Sequence, residues 1–111
     1  MVQHWITQFR KGLVELCVLA VLRDREAYGY EIVERLGGVA GLEVTESTVY
    51  PVLARLARDR CVTVRTVPSP LGPPRRYYRL SDSGLRRLDE MIAHWKSIQN
   101  SVNQLTQGAT S

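Results

Sequence analysis

The sequence predicts a single, mainly helical domain that carries a small two-stranded β-ribbon and continues into one long C-terminal helix. Three observations lead to this fold class. The chain has 111 residues, which fits one compact domain. Apolar residues recur at helical spacing over much of its length, and between residues 61 and 80 the period changes to two. We place the compact domain at residues 1–81, the terminal helix at residues 82–106 and a disordered tail at residues 107–111.

The composition argues against several classes of protein. Hydrophobic residues make up 44% of the chain and charged residues 23%, as in an average soluble domain. The longest apolar run, residues 16–22, is far shorter than the ~20 residues that span a bilayer, and the N-terminus lacks the layout of a signal peptide. Cys17 and Cys61 stand among aliphatic residues, so a disulfide scaffold is not expected. We therefore expect a soluble cytoplasmic protein that does not associate with membranes.

The first two helices are predicted from the spacing of their apolar residues. The first is indicated, after Gly12, by Leu13, Leu16, Cys17 and Ala20. The second is predicted at residues 28–36, where an apolar stripe follows one side of a helix. Gly37 and Gly38 come next, and glycine commonly supplies the left-handed residue that ends a helix.

A third helix is predicted to begin near Thr45 and to end near Asp59 or Arg60. Short hydroxyl side chains at its start can accept hydrogen bonds from the free amides of the first turn. On a helical wheel one arc is apolar and consists of Val49, Val52, Leu53 and Leu56. The opposite sector collects Ser47, Thr48, Pro51, Ala54, Arg55 and Arg58. One face of this helix is therefore expected to pack on the core, and the other is offered to a partner.

The ribbon follows the third helix. Residues 61–67 are rich in β-branched side chains and residues 75–80 alternate with a period of two, so both segments predict strands. Residues 68–74 contain four prolines and a glycine, which are typical of a stiff hairpin tip. We expect Tyr78 and Leu80 to anchor the ribbon to the core.

Ser81 and Asp82 are good caps for the last helix, which carries an apolar seam. Its members recur in steps of three and four: Leu88, Met91, Trp95, Ile98, Val102 and Leu105. Such a stripe must be buried against another surface. We expect a second copy of the chain to cover it and assign the first five residues to a dimer interface; packing against the same subunit is the alternative.

The positive charge of the chain is unevenly distributed. The whole chain carries a formal charge of +4, yet between residues 45 and 79 seven arginines face only Glu46 and Asp59, a local charge of +5. A basic segment of this kind indicates a surface that meets polyanions, most often nucleic acid. A solvated arginine-rich face is the alternative.

Three helices followed by a two-stranded wing are the order of a winged helix-turn-helix, and five blocks of this chain resemble the PadR-like transcriptional regulators. The blocks are residues 10–16 (RKGLVEL), 28–32 (YGYEI), 47–56 (STVYPVLARL), 72–80 (GPPRRYYRL) and 81–84 (SDSG). The resemblance covers most of the chain from residue 10 to residue 88, and the single short terminal helix is similar to the compact subgroup of that family. It implies a homodimeric bacterial repressor that reads DNA with its winged helix and dimerises through its C-terminal helix. The chain departs from the family pattern after the third helix, where Arg60 and Cys61 replace a glycine and an aliphatic residue.

The candidate DNA-contacting residues lie on the third helix and the wing. Arg55 would make a bidentate contact to guanine, and the first helical turn would hold phosphate oxygens. Tyr50 is expected to contact phosphate or sugar, with core packing as the alternative. Pro51 implies either that the helix begins late or that it bends there. The wing arginines would bind the phosphate backbone or a narrow minor groove. The full set is Ser47, Thr48, Tyr50, Pro51, Arg55, Arg58, Arg75 and Arg76.

Trp5, Phe9 and Trp95 could line a flat apolar slot at the dimer interface that takes a small planar aromatic effector, with plain interface packing as the alternative. No cofactor, metal or catalytic role is expected, because His4 and His94 lie far apart and no cluster has metal-ligand spacing. The leading prediction is a homodimeric repressor that binds an inverted-repeat operator, with its third helices about 34 Å apart. A winged-helix protein-interaction module without sequence-specific DNA binding is the alternative.

Overall fold

The computed structural model describes residues 4–107, apart from the side chains at positions 4, 6–9 and 11. The elements are, in chain order, α1 (His4–Val21), β1 (Ala27–Tyr28), α2 (Gly29–Gly37), α3 (Glu46–Arg58), β2 (Val62–Ser69), β3 (Gly72–Leu80) and α4 (Asp82–Gln107). The predicted fold class is confirmed: helices dominate, and a small antiparallel sheet forms the wing. Within residues 4–107, no helix combines the length and the apolar character needed to cross a bilayer.

The sheet has three strands rather than the two that the sequence predicts. The order is β1-β3-β2, so that β3 lies in the middle and pairs with β1 through Ala27 opposite Tyr78 and Tyr28 opposite Tyr77. β1 has only two residues, which is too short for any alternation to be visible in the sequence. This strand attaches the wing to the start of α2.

The wing strands extend further toward the tip than predicted. β2 pairs with β3 as far as Ser69 opposite Gly72, which leaves a turn of two residues, Pro70 and Leu71. Prolines are tolerated inside these strands because the hairpin is exposed there and the pairing shifts register at Pro68. The predicted seven-residue tip is therefore wrong, and the paired part of the wing is longer than expected.

Two helix ends also differ from the prediction. α1 begins at His4, ahead of Gly12, which lies exposed within the helix. α2 ends without a left-handed glycine, because its C-cap residue Gly38 has a φ of −82°. The left-handed residues that follow α2 are instead Gly41 and Glu43, in the connection to α3.

The core is formed by α1, α2 and α3 with the base of the wing. The four residues of the apolar arc predicted for the third helix are all buried. Tyr78 is buried and Leu80 packs against the core, so the predicted anchors of the ribbon are confirmed. Both cysteines are free thiols, and burial raises the pKa of Cys17. Cys61 is buried in the core, and Cys17 packs against it from the edge.

The first two turns of α4 belong to this same core. Ser81 caps the helix, because its Oγ accepts a hydrogen bond from the Gly84 amide at 3.0 Å. Leu88 is fully buried and Met91 packs against the core from its edge. The assignment of Leu88 to a dimer interface is therefore wrong. Its side chain packs within its own subunit, where Gly84 lets α4 approach the backbone of Cys61 closely.

Candidate nucleic-acid interface

α3 presents a polar face to solvent along its whole length. The residues predicted for this face lie there: Ser47, Pro51, Ala54, Arg55 and Arg58 are exposed and Thr48 is partly exposed. The N-cap residue Thr45 makes no side-chain hydrogen bond to the first turn, and its Oγ1 lies 2.9 Å from the Ser47 hydroxyl instead. The predicted hydroxyl cap is therefore not formed at the N-cap position, and the positive end of the helix is left without it.

Pro51 lies inside a continuous helix. α3 begins at Glu46, so this proline stands beyond the first turn. Because proline has no amide proton, the carbonyl of Ser47 lacks its usual donor on the exposed side of the helix. The start of α3 therefore carries an acceptor and a hydroxyl beside each other.

Arg55 is held at one edge by a carboxylate from another helix. Its Nη2 donates a hydrogen bond to Glu15 Oε1 of α1 at 2.6 Å. Arg87 of α4 lies 3.7 Å from the other oxygen of Glu15 and 3.5 Å from a carboxylate oxygen of Asp59. Four charged groups from three helices and the end of α3 thus meet beneath the exposed face. By contrast, Arg58 makes no ion pair with any residue in the described range.

The two wing arginines are not equivalent. Arg75 and Arg76 are successive residues of β3, so their side chains leave opposite faces of the ribbon. The Arg75 guanidinium stacks over the Tyr28 ring at 4.8 Å from its centroid, whereas Arg76 is exposed opposite Thr66 of β2. The sequence presented the pair as one unit, because adjacency alone says nothing about the face on which each side chain lies.

Arg65 is engaged within the wing. It bonds to the carboxylate of Glu26 and stacks over the Tyr77 ring at 5.0 Å from its centroid. The hydrogen bond and the charge of Arg65 lower the pKa of Glu26, to which the charge of Arg79 also contributes. Arg65 therefore supports the ribbon rather than extending toward a ligand.

Replacing Arg65 by glutamine should raise the pKa of Glu26 toward its ordinary value, which an NMR titration of the carboxyl group would measure. Since the carboxyl pKa is lowered in the folded state, the pair stabilises the fold above the unfolded-state pKa, and this contribution disappears as pH falls through the folded-state pKa. Arg79→Gln is the control and should move the same titration less, because Arg79 acts only through its charge. If Arg79→Gln shifted the pKa of Glu26 more than Arg65→Gln did, Arg65 would not be the main cause of the lowered pKa.

A cleft of about 730 Å³ separates the wing from the start of α2 and α3. Its lining includes residues of the wing tip together with Tyr28, Tyr30, Tyr50, Arg75 and Arg76. The Tyr50 ring packs on Gly29, where a Cβ would lie 2.7 Å from it, while 39% of Tyr50 stays exposed. Burial raises the pKa of this phenol, as does the charge of Glu46. The ring thus packs against Gly29 at one edge and faces the cleft at the other, and its contact with phosphate or sugar stays a prediction.

Tyr28 and Tyr30 were not among the predicted site residues. The sequence predicts that the second helix begins at Tyr28, whereas this residue lies in β1 and its ring contacts Tyr77, with the centroids 5.6 Å apart. Tyr30 is exposed on the rim of the cleft. The sequence does contain one signal for these residues, the segment Tyr28-Gly29-Tyr30. Gly29 has no side chain, which leaves space for the Tyr50 ring.

The residues assigned to an effector slot are only partly within the described range. Trp5 and Trp95 are both exposed, and the side chain of Phe9 lies outside the described residues. Among residues 4–107, no group of three or more His, Cys, Asp or Glu side chains has the arrangement of a metal site.

Helices α1, α2 and α3 pack together, the polar face of α3 is exposed, and a cationic wing lies beside that face. This arrangement defines a DNA-binding protein of the winged helix-turn-helix class. Residues 18–90 match the model of the transcriptional regulator PadR-like family. This chain therefore belongs to the PadR-like family of transcriptional regulators.

Solved structures agree with this assignment. A PadR-like transcription factor from Bacteroides fragilis is 38% identical, with 93% of this chain and 99% of that chain covered and a TM-score of 0.76. A PadR family regulator from Eggerthella lenta is 32% identical, with 94% and 90% covered and a TM-score of 0.83. Bacillus subtilis PadR, whose crystal structure is a complex with operator DNA, is 27% identical over 72% of this chain and 46% of that chain, with a TM-score of 0.67.

Proposed function

We propose that this chain is a homodimeric, cytoplasmic transcriptional repressor that binds an inverted-repeat operator with α3 in the major groove and the wing on the flanking backbone. The observation that carries the proposal is the exposed polar face of α3, which stands beside a cationic wing. The similar fold of Bacillus subtilis PadR, whose structure contains operator DNA, supports it.

Contacts to DNA would be divided between α3 and the wing. The major groove admits a helix, and Arg55 would face guanine there, with Arg58 on the backbone. Ser47 and Thr48 would bind phosphate at the positive end of α3. Pro51 is proposed to keep the start of the helix free of bulky side chains near the groove.

The wing would supply affinity rather than sequence preference. Arg76 is exposed and its position on the ribbon suits a phosphate contact or a narrow minor groove. Arg75 and Tyr50 line the cleft beside α3, and both would approach the sugar-phosphate backbone there. Phosphate contacts of this kind make binding strongly dependent on salt.

Dimerisation would cover the outer part of the seam on α4. Ile98 and Leu105 are 55% and 83% exposed, and Trp95 and Val102 lie exposed between and beside them. Met91 would join them at the edge of the core. An isologous dimer buries this stripe against itself and places two α3 helices about 34 Å apart, one for each half-site.

A small planar aromatic ligand is proposed to release the operator. Its site would be completed only in the dimer, where Trp5 and Phe9 of one subunit approach Trp95 of the other. Release requires that the ligand bind one arrangement of the two reading helices more tightly than another.

The test is a fluorescence-anisotropy titration of the protein with a DNA fragment from its own promoter region at several salt concentrations. We expect nanomolar binding that weakens steeply with salt. A protein-interaction module, the competing function, would leave the DNA unbound at every salt concentration. Binding that did not distinguish the promoter fragment from unrelated DNA would contradict an operator-specific repressor.

Arg55→Ala should weaken operator binding about tenfold or more and leave binding to unrelated DNA nearly unchanged, since a bidentate arginine-guanine contact contributes ~1–3 kcal/mol of discrimination. The double change Arg75→Ala with Arg76→Ala should weaken both kinds of binding and reduce the salt slope by about two, because each phosphate contact contributes ~0.9. The same anisotropy titrations measure both effects. Arg86→Ala, on an exposed position of α4, is the control. If Arg55→Ala and the wing double variant lost operator binding and nonspecific binding in the same proportion, the division of roles between α3 and the wing would be wrong.

A further inference from the structure

Glu15 is a carboxylate that two arginines share beneath the exposed face of α3. It lies on α1 between core-facing residues, and only 20% of its side chain is exposed. Each of its oxygens has its own cation: Oε1 accepts from Arg55 at 2.6 Å, and Oε2 lies 3.7 Å from Arg87. The geometry therefore fixes the carboxylate from both sides.

The contact engages only part of the Arg55 guanidinium. Arginine has five N–H donors in a planar fork, and the bond to Glu15 uses one of them on Nη2. Nη1 and the second hydrogen of Nη2 remain available, and 45% of the Arg55 side chain is exposed. That edge has the donor pattern that matches guanine O6 and N7. Arg55 can thus keep Glu15 and bind a base together.

A free arginine on a helix surface samples many rotamers, and binding must restrict them. Holding one edge of the guanidinium before DNA arrives removes much of that freedom and fixes the direction of the other edge. The same carboxylate gives no advantage to phosphate binding, because its negative charge repels the DNA backbone. Its effect should therefore fall on discrimination between sequences rather than on general affinity.

We propose that Glu15 is a positioning residue for base recognition, which holds the Arg55 guanidinium so that its free edge faces a guanine of the operator. This rests on the proposed function, in which Arg55 reads a base. Arg87 of α4 assists by occupying the second oxygen of Glu15 and by binding Asp59 at the end of α3.

Glu15→Gln tests the proposal, because glutamine keeps the shape of the side chain and removes its charge. We expect the ratio of dissociation constants for unrelated and operator DNA to fall about five- to tenfold, a substantial part of the discrimination that a bidentate contact provides. Binding to unrelated DNA should become slightly tighter, since a negative charge near the duplex is lost. Anisotropy titrations with both duplexes measure the ratio, and a thermal melt confirms that the variant is folded.

Glu43→Gln is the matched control. Glu43 pairs with Arg10 of α1 at 2.6 Å and, like Arg55, lines a groove between α1 and α3, but it makes no ion pair with Arg55. Glu43→Gln therefore removes one negative charge near the same face of α3 but leaves the contact between Arg55 and Glu15 intact. We expect its ratio to stay within about twofold of the wild-type value, since only long-range screened electrostatics change.

Measurements in the Arg55→Ala background distinguish the base-reading role of Arg55 from the positioning role of Glu15. If Arg55→Ala alone leaves the ratio unchanged, the base-reading role of Arg55 in the proposed function is wrong, and the positioning role falls with it. If Arg55→Ala lowers the ratio but Glu15→Gln does not, only the positioning role is overturned. A fall of the same size for Glu15→Gln in both backgrounds would also overturn it, because nothing remains to be positioned once Arg55 is absent.

Discussion

Ile98→Glu is expected to convert the protein into a monomer and to weaken operator binding by about a hundredfold, the scale of avidity that joining two binding modules provides. Ile98 lies in the middle of the part of the seam that its own subunit leaves uncovered. In the proposed dimer a glutamate there would lie in an apolar interface beside its symmetry mate, and two unpaired carboxylates cannot be buried together at low cost. Sedimentation velocity measures the oligomeric state, and anisotropy measures the affinity.

Asn100→Glu is the control for that experiment. It adds the same charge two residues further along α4, at an exposed position outside the apolar seam. We expect it to remain dimeric with nearly unchanged operator binding. An Ile98→Glu protein that stayed dimeric would refute the interface, and a monomer with full operator affinity would refute the need for two reading heads.

Gly84→Ala is expected to lower the free energy of unfolding by about 3 kcal/mol or more, at the upper end of the range for overpacking. A Cβ at this position would lie 2.0 Å from the carbonyl oxygen of Cys61. That oxygen cannot move away easily, because it accepts a hydrogen bond from the Ser81 amide at 3.0 Å, and the Cys61 amide donates to Leu56 at 2.8 Å. Urea denaturation measures the loss.

Gly12→Ala is the matched control, since it makes the same chemical change in another helix. No atom lies within 4 Å of a Cβ built at Gly12, and the residue is exposed. Alanine there should raise the free energy of unfolding by about 0.5–1 kcal/mol, the ordinary difference between the two residues inside a helix. A Gly84→Ala protein as stable as the wild type would mean that α4 is not seated against the backbone of Cys61.

Long, strongly periodic elements were accessible from the sequence. The apolar arc of α3 was predicted residue by residue, because a helix of 13 residues repeats its pattern often enough to define a face. The wing strands were located but drawn too short, since prolines near an exposed tip end a sequence pattern without ending the pairing. β1 was missed because a strand of two residues has no pattern at all.

The exposure of the predicted residues on α3 and the wing could be read from the sequence, but their surroundings could not. Arg55 and Glu15 are 40 residues apart, and only packing of α1 on α3 brings them together. The seam on α4 looked uniform in the sequence, yet Leu88 packs inward and Ile98 does not. That difference depends on which part of α4 packs on the core, which is a property of the tertiary structure. Periodicity indicates that a stripe must be covered and does not say by which surface.

The seating of α4 makes the core and the proposed dimerisation segment a single lever. The helix is continuous over 26 residues, and its first turns are part of the same core as α3. At ~1.5 Å per residue it is about 39 Å long, so a tilt of about 10° displaces its far end by about 7 Å. In the proposed dimer, two such levers cross, and their crossing angle sets the span between the reading helices. A displacement of about 7 Å corresponds to roughly two base pairs of duplex at ~3.4 Å each. A small rotation at the crossing is therefore enough to prevent the two α3 helices from binding both half-sites at the same time.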